Sequence, residues 1–194
     1  MRKKLNMFLV AVVATMMSSC GYNAMVGKDE GVKKAWADVE TQYQRRNDLI
    51  GNLVETVKGY ANFEKETLTA VIEARSKASS VTLNADEITP ETLDKFQEAQ
   101  SSMSGALQRL MVVVEKYPDL KANANFMALQ AELERTENRI SVARRDYNAA
   151  VADYNTYIRS FPHVIYAGWF KFTPKTPFKS EAGAEKAPKV DFSK

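Results

Sequence analysis

The stretch FMALQAELERTENRISVARRDYNAAVADYNTYI, from Phe126 to Ile158, decides the fold. Its inward-type residues return in steps of three and four: Phe126, Leu129, Leu133, Thr136, Ile140, Ala143, Tyr147, Val151, Tyr154 and Ile158. That spacing holds one stripe of a helix against a partner. Asn123 or Asn125 stands where an N-cap belongs, and Pro162 ends the run. A helix of this length with one apolar stripe needs other helices to cover it.

Working towards the amino terminus, Leu93, Phe96, Met103, Leu107, Leu110, Val114 and Tyr117 line one face of a second helix. It opens near Pro90 with Thr89 as N-cap, and Pro118 stops it. Before it, Val32, Trp36, Val39, Tyr43, Ile50, Leu53, Val57, Tyr60, Leu68 and Val71 form another series, with Arg46 and Glu64 filling two of its slots. Continuous from Val32 to Ser79, this segment spans about 48 residues and about 72 Å at 1.5 Å per residue. Gly51 and Gly59 each weaken it by roughly 1 kcal/mol relative to alanine, so a bend or break is expected between Gly51 and Phe63. No strand-period segment competes. The expectation is an all-α fold, an elongated antiparallel up-and-down helical bundle of three to four long helices.

The amino terminus carries a different signal. Met1 to Lys4 form a basic n-region, and Leu5 to Met17 form an almost unbroken apolar run, shorter than the roughly 20 residues needed to span a bilayer. Met17-Ser18-Ser19-Cys20-Gly21 follows, with small residues ahead of the only cysteine. This resembles the lipobox of bacterial lipoproteins, in which the cysteine thiol receives diacylglycerol and its freed amine is acylated. Met17 departs from the usual leucine at that place. The resulting division is a signal peptide over residues 1–19, a lipidated tether over 20–30, the bundle over 31–162, and an aromatic and polar extension over 163–194. Lipidation at Cys20 accounts for membrane attachment, and a lone cysteine excludes disulfides within the chain. Removing the first nineteen residues leaves 24 of the 27 basic residues against 24 acidic ones. A mature domain of zero net charge has no general attraction for phosphate backbones, which argues against nucleic acid as a partner.

Three strings then carry a family resemblance: YQRRNDLIGNLVETVKGYA (Tyr43 to Ala61), YPDLKANANFMALQAELERTENRISVARRDYNAAVADYNTYIRSFP (Tyr117 to Pro162) and EAGAEKAPKVDF (Glu181 to Phe192). They are similar to the LemA family over nearly all of the mature chain. The resemblance implies a helical bundle outside the cytoplasmic membrane, tethered by an amino-terminal helix or lipid, with no established biochemical activity. Gly51 stands where the family commonly has proline, and Phe63 where histidine is frequent, so any role for that histidine is absent here.

Candidate chemistry is sparse. His163 is the only histidine and lacks companion ligands for zinc, so it reads as packing or capping at a helix exit. Glu132, Glu134 and Glu137 lie among Arg135, Arg139, Arg144 and Arg145, a charge-paired helix face rather than a calcium loop. No phosphate loop, nucleophile elbow or zincin motif occurs. No cofactor or metal is expected, and no reaction is proposed. Arg46, Asn47 and Asn52 lie in or beside the apolar stripe, and Asn148 and Asn155 punctuate the third helix. Such groups fix helix register or meet a partner. Tyr166, Trp169, Phe170 and Phe172 surround Gly168, where the chain is expected to leave the helix. Those rings fold over the end of the core, rest at a lipid interface or fill a partner's groove.

Two functional classes follow. The leading one is a non-enzymatic envelope lipoprotein whose bundle serves protein interaction or assembly, with other envelope proteins as partners. The alternative is a periplasmic binding or accessory module that captures a peptide, lipid or cell-wall fragment. An enzyme with an unrecognised site ranks behind both. Tyr22, rather than aspartate, follows Gly21, a feature associated with outer-membrane sorting.

Overall fold

A computed structural model describes residues 2–60 and 64–179, with side chains from Gly21 onward. The lipid site proposed at Cys20 therefore falls outside the described side chains, and Phe63 and the Glu181–Phe192 string fall outside the described residues. The described chain is helical without strands: α1 (Arg2–Lys58), α2 (Lys65–Ser80), α3 (Pro90–Val114), α4 (Pro118–Lys121), α5 (Ala124–Arg159) and α6 (His163–Trp169), with a short 3-10 turn at Ala85–Glu87. The all-α bundle is as the periodicity predicts.

Boundaries follow local chemistry. Thr89 caps α3 by accepting from Thr92 N, while Thr89 N donates to the Thr92 hydroxyl, a reciprocal capping box. Asn123, rather than Asn125, caps α5 by accepting from Phe126 N at 3.0 Å. A proline ring clashes with the carbonyl four residues earlier. Accordingly α3 ends at Val114, four before Pro118, and Pro118 itself opens α4.

The expected interruption falls at Gly59, not Gly51. Helix α1 ends at Lys58, and Tyr60 N turns back to Val57 O. Gly51 stays helical, and its missing side chain leaves room for Arg75. A Cβ there would sit 2.9 Å from the Arg75 Nη2, and Arg75 Nε donates to Asn47 O at 3.0 Å.

Helix α1 packs along α5, and α2 along α3, with α2 also against α1. The pairs Arg46–Glu137 and Lys28–Asp153 set α1 and α5 antiparallel. Two core clusters divide the bundle lengthwise. One joins Ile50, Leu53 and Val57 to Val71, Leu110 and Phe126. The other gathers Met25, Trp36, Phe96, Tyr147, Tyr154 and Phe178.

That second cluster corrects two sequence boundaries. Met25, within the expected tether, is completely buried, and Gly21 lies against His163 and Tyr166. Beyond residue 162, Ala167 and Phe178 are core residues as well. Among the described residues the packed core therefore extends past 31–162 on both sides, to Met25 and to Phe178. Gly168 does not release the chain either, since α6 continues to Trp169. Lys171 follows at φ 59° and Phe172 N closes onto Ala167 O, a Schellman-type end with lysine in the place usually given to glycine. Among the described residues, no helix is long and apolar enough to cross a membrane.

Candidate functional site

At the waist of the bundle, between the two clusters, Arg46 is buried with 3% of its surface exposed. Its Nη2 donates to Gln100 Oε1 on α3 at 2.6 Å, and its Nη1 to Glu137 Oε2 on α5 at 3.0 Å and Ser104 Oγ at 3.3 Å. The guanidinium also lies 5.0 Å from the centre of the Tyr43 ring. A buried guanidinium needs acceptors around its plane. Glu137 supplies the counter-charge while its own side chain stays half exposed and so keeps part of its hydration. Beside it, Arg45 bonds Glu132 and holds that carboxyl below the usual carboxylate range. Arginine 46 thereby clasps α1, α3 and α5 together.

Asn47 faces the other way, towards α2. Its Nδ2 donates to Ser79 Oγ at 2.7 Å, and its Oδ1 is buried without a hydrogen-bond partner. Asn52 belongs to neither contact. It is exposed, and its carbonyl accepts from Thr56 Oγ1. The five-residue step between the asparagines, about 140° around a helix, separates them. The sequence reading that put Asn52 beside the stripe is thus corrected: only Arg46 and Asn47 reach the interior.

Arg46 separates two clefts. One of about 330 Å³ is lined by Glu40, Tyr43, Asn47, Ile50, Gln100 and Met103 among others. The second, about 400 Å³ and more polar, is bordered by Gln97, Ser101, Ser104, Glu137 and Arg144. Both can admit a small polar group beside the clasp. Among the described residues no cluster of His, Cys, Asp and Glu gathers for a metal ion.

A second arrangement escaped the sequence reading. After α6 the chain returns along α5 as an extended segment. Asn155 Nδ2 donates to Lys175 O at 2.8 Å while Lys175 N donates to Asn155 Oδ1 at 2.8 Å. One heptad earlier, Asn148 treats the backbone of Phe178 the same way, at 3.2 and 2.8 Å. The neighbouring Tyr154 and Tyr147 hydroxyls donate to Thr173 O and Thr176 O. Burial pushes both hydroxyls up to about 12, so they remain donors at neutral pH. Register explains the match. Seven helical residues rise about 10.5 Å, and three extended residues cover about 9–10 Å. The legible signal was the Tyr-Asn pair at 147–148 repeated at 154–155, facing Thr-Pro at 173–174 repeated at 176–177. Lys175 then reaches Asp29 at 3.1 Å, and Phe178 stacks on Trp36 with centroids 5.8 Å apart.

The aromatic residues Tyr166, Trp169 and Phe170 lie at the far end of the molecule from Arg46, so the sequence-derived candidates form two separate places. Tyr166 and Phe172 pack on the core, whereas Trp169 and Phe170 are 74% and 54% exposed. His163 stacks on Tyr157 with centroids 4.0 Å apart, and its Nδ1 is buried without a partner. This is packing at a helix start, not the helix exit expected.

The LemA family model matches residues 35–192, from the residue before Trp36 through the carboxyl-terminal string. The chain belongs to the LemA family. Among its relatives, magnetosome protein MamQ 2 of Paramagnetospirillum magneticum is 27% identical over 175 residues, 79% of this chain and 62% of that protein. Protein LemA of Metamycoplasma hominis is 28% identical over 139 residues, 72% of this chain and 60% of the relative. Magnetosome protein MamQ of Magnetospirillum gryphiswaldense is 26% identical over 173 residues, again 79% and 62%. The chain thus matches about three fifths of the length of these relatives. Family membership extends across Arg46, Asn47 and the Tyr-Asn pairs.

Proposed function

We propose that this LemA-family chain is an envelope lipoprotein, anchored through Cys20, whose non-enzymatic helical bundle is an interaction or assembly module for other envelope proteins. The observation that carries the reading is the position of Gly21. One residue after the proposed lipid site, it already lies against α6, which brings the proposed anchor to that end of the bundle. The basic n-region, apolar run and Ser18-Ser19-Cys20 string support the same division.

The test is metabolic labelling with palmitate. The native chain is expected to take up label and run as the processed form, and Cys20→Ala to accumulate as unlabelled precursor. Equal labelling of the variant would overturn lipidation at Cys20. A second reading, a binding module for a peptide, lipid or cell-wall fragment, draws on the cleft beside Arg46, where the buried Asn47 Oδ1 has no protein partner. Co-purification of a small molecule lost in Asn47→Leu would favour it over protein assembly.

A further inference from the structure

Helix α6 is amphipathic in the reverse sense. Its inner side places Ala167 in the core, while Phe161, Val164, Ile165 and Trp169 are exposed at 82, 47, 45 and 74%. Val164, Ile165 and Trp169, at i, i+1 and i+5, share one side of α6, and Phe161 adds to it from the turn just before the helix. Phe170 and Tyr22, whose rings meet at 4.8 Å, extend the same surface onto α1. Six of the ten large apolar residues exposed on the described chain therefore gather at one end, where isolated ones would be unremarkable.

Three observations point to what covers this face. First, it surrounds the point where α1 arrives from its apolar first twenty residues, with Gly21 against His163 and Tyr166. Secondly, residues 21–30 are packed into the bundle, Met25 completely so. An extended linker of that length could have held the domain tens of ångströms from its anchor, at about 3.3–3.6 Å per residue. Here that slack is absent. Thirdly, the sequence has no acidic residue between Asp153 and Glu181, while Arg159 and Lys171 flank α6. An apolar face with tryptophan and a cationic rim has the chemistry of a bilayer interface, rings at headgroup depth and cations towards phosphates.

We infer that the α6 face, Phe161, Val164, Ile165, Trp169 and Phe170 together with Tyr22, seats the bundle directly on the lipid surface. The inference rests on amino-terminal membrane attachment, whether by lipid on Cys20 or by the uncut apolar segment. The domain then stands on its α6 end and projects its Arg46 waist and α4 end away from the membrane.

The test uses the full chain, purified from membranes and reconstituted into vesicles of phosphatidylethanolamine and phosphatidylglycerol doped with phosphatidylcholine brominated near the headgroup end of its chains. Trp36 is buried about 24 Å further along α1 from Cys20 and serves as the unquenched reference. Tryptophan emission is expected to fall by about a third to a half in the native chain, and not in Trp169→Phe. Flotation on a density gradient reports attachment separately. A chain that floats, yet shows the same emission with and without brominated lipid, overturns the seated face and leaves attachment standing. If Trp169 is in addition shielded from acrylamide, the face is an interface between copies and the inference fails. A chain that does not float overturns attachment and the inference together.

Discussion

The two ends of the bundle close their cores by different means. Around Val57, helices alone close the core: Ile50 and Leu53 from α1, Val71 from α2, Leu110 from α3, Leu120 from α4 and Phe126 and Leu133 from α5 interlock as a mainly aliphatic cluster. Towards Met25 the helices run out. Helix α2 has ended at Ser80, and α3 begins only at Pro90, so α1 and α5 are left with open flanks. Rings replace helices there. Trp36 meets Phe96, Tyr147 and Phe178, and its Nε1 donates to Leu83 O at 3.0 Å, drawing in the α2–α3 linker. An extended segment can complete a core only if its peptide groups find partners. The Tyr-Asn pairs of α5 supply them.

Removing the ring that closes this end is expected to have the largest effect. Phe178→Ala should cost about 3–5 kcal/mol in denaturant unfolding. Hydrogen exchange is expected to rise around Trp36 and Tyr154 while Leu53 and Leu110 keep their protection. A uniform loss along the bundle would show that the two ends unfold as one unit and dissolve the distinction.

Asn155→Ala leaves the N–H and carbonyl of Lys175 without their partners and should cost about 2 kcal/mol. Asn52→Ala, at the exposed site near the four-helix end, should stay within about 0.5 kcal/mol. Equal effects from the two asparagines would contradict the assigned difference between them.

The same segment predicts an alkaline sensitivity. Tyr147 and Tyr154 titrate at about 12 in the fold because burial disfavours the phenolate, against about 10 unfolded. Their stabilisation is therefore complete below pH 10 and lost as pH rises from 10 to 12. Stability of the double variant Tyr147→Phe with Tyr154→Phe should fall less steeply across that window. An identical slope would remove these hydroxyls as its source.

At the waist the expected change is small and of opposite sign. Asn47→Leu removes a buried unpartnered oxygen along with one bond to Ser79. Thermal stability should hold or rise by up to about 1 kcal/mol, with broadened NMR signals around α2 if Asn47 fixes its register. Sharp spectra would assign that role to Arg75 and Arg46.

The choice of Asn123 over Asn125 and the end of α3 at Val114 rather than Tyr117 came with the structure. Periodicity, caps and prolines placed the stripe from Phe126 to Ile158 and the start of α3 at Thr89. These are local properties, set by residues within a turn or two of each other. Family membership was legible for a similar reason, being carried by continuous strings. The site residues divided along another line. Arg46 stood out because a charge in an apolar series must be satisfied, but its acceptors on α3 and α5 came only with folding. Asn148, Asn155 and Asn52 look alike in sequence, yet two hold the returning chain and the third meets solvent. The tether became core, and the apolar side of α6 became surface, because burial depends on which distant segment lies opposite. Helical spacing fixes which residues share a face, and only the packed chain determines what that face meets.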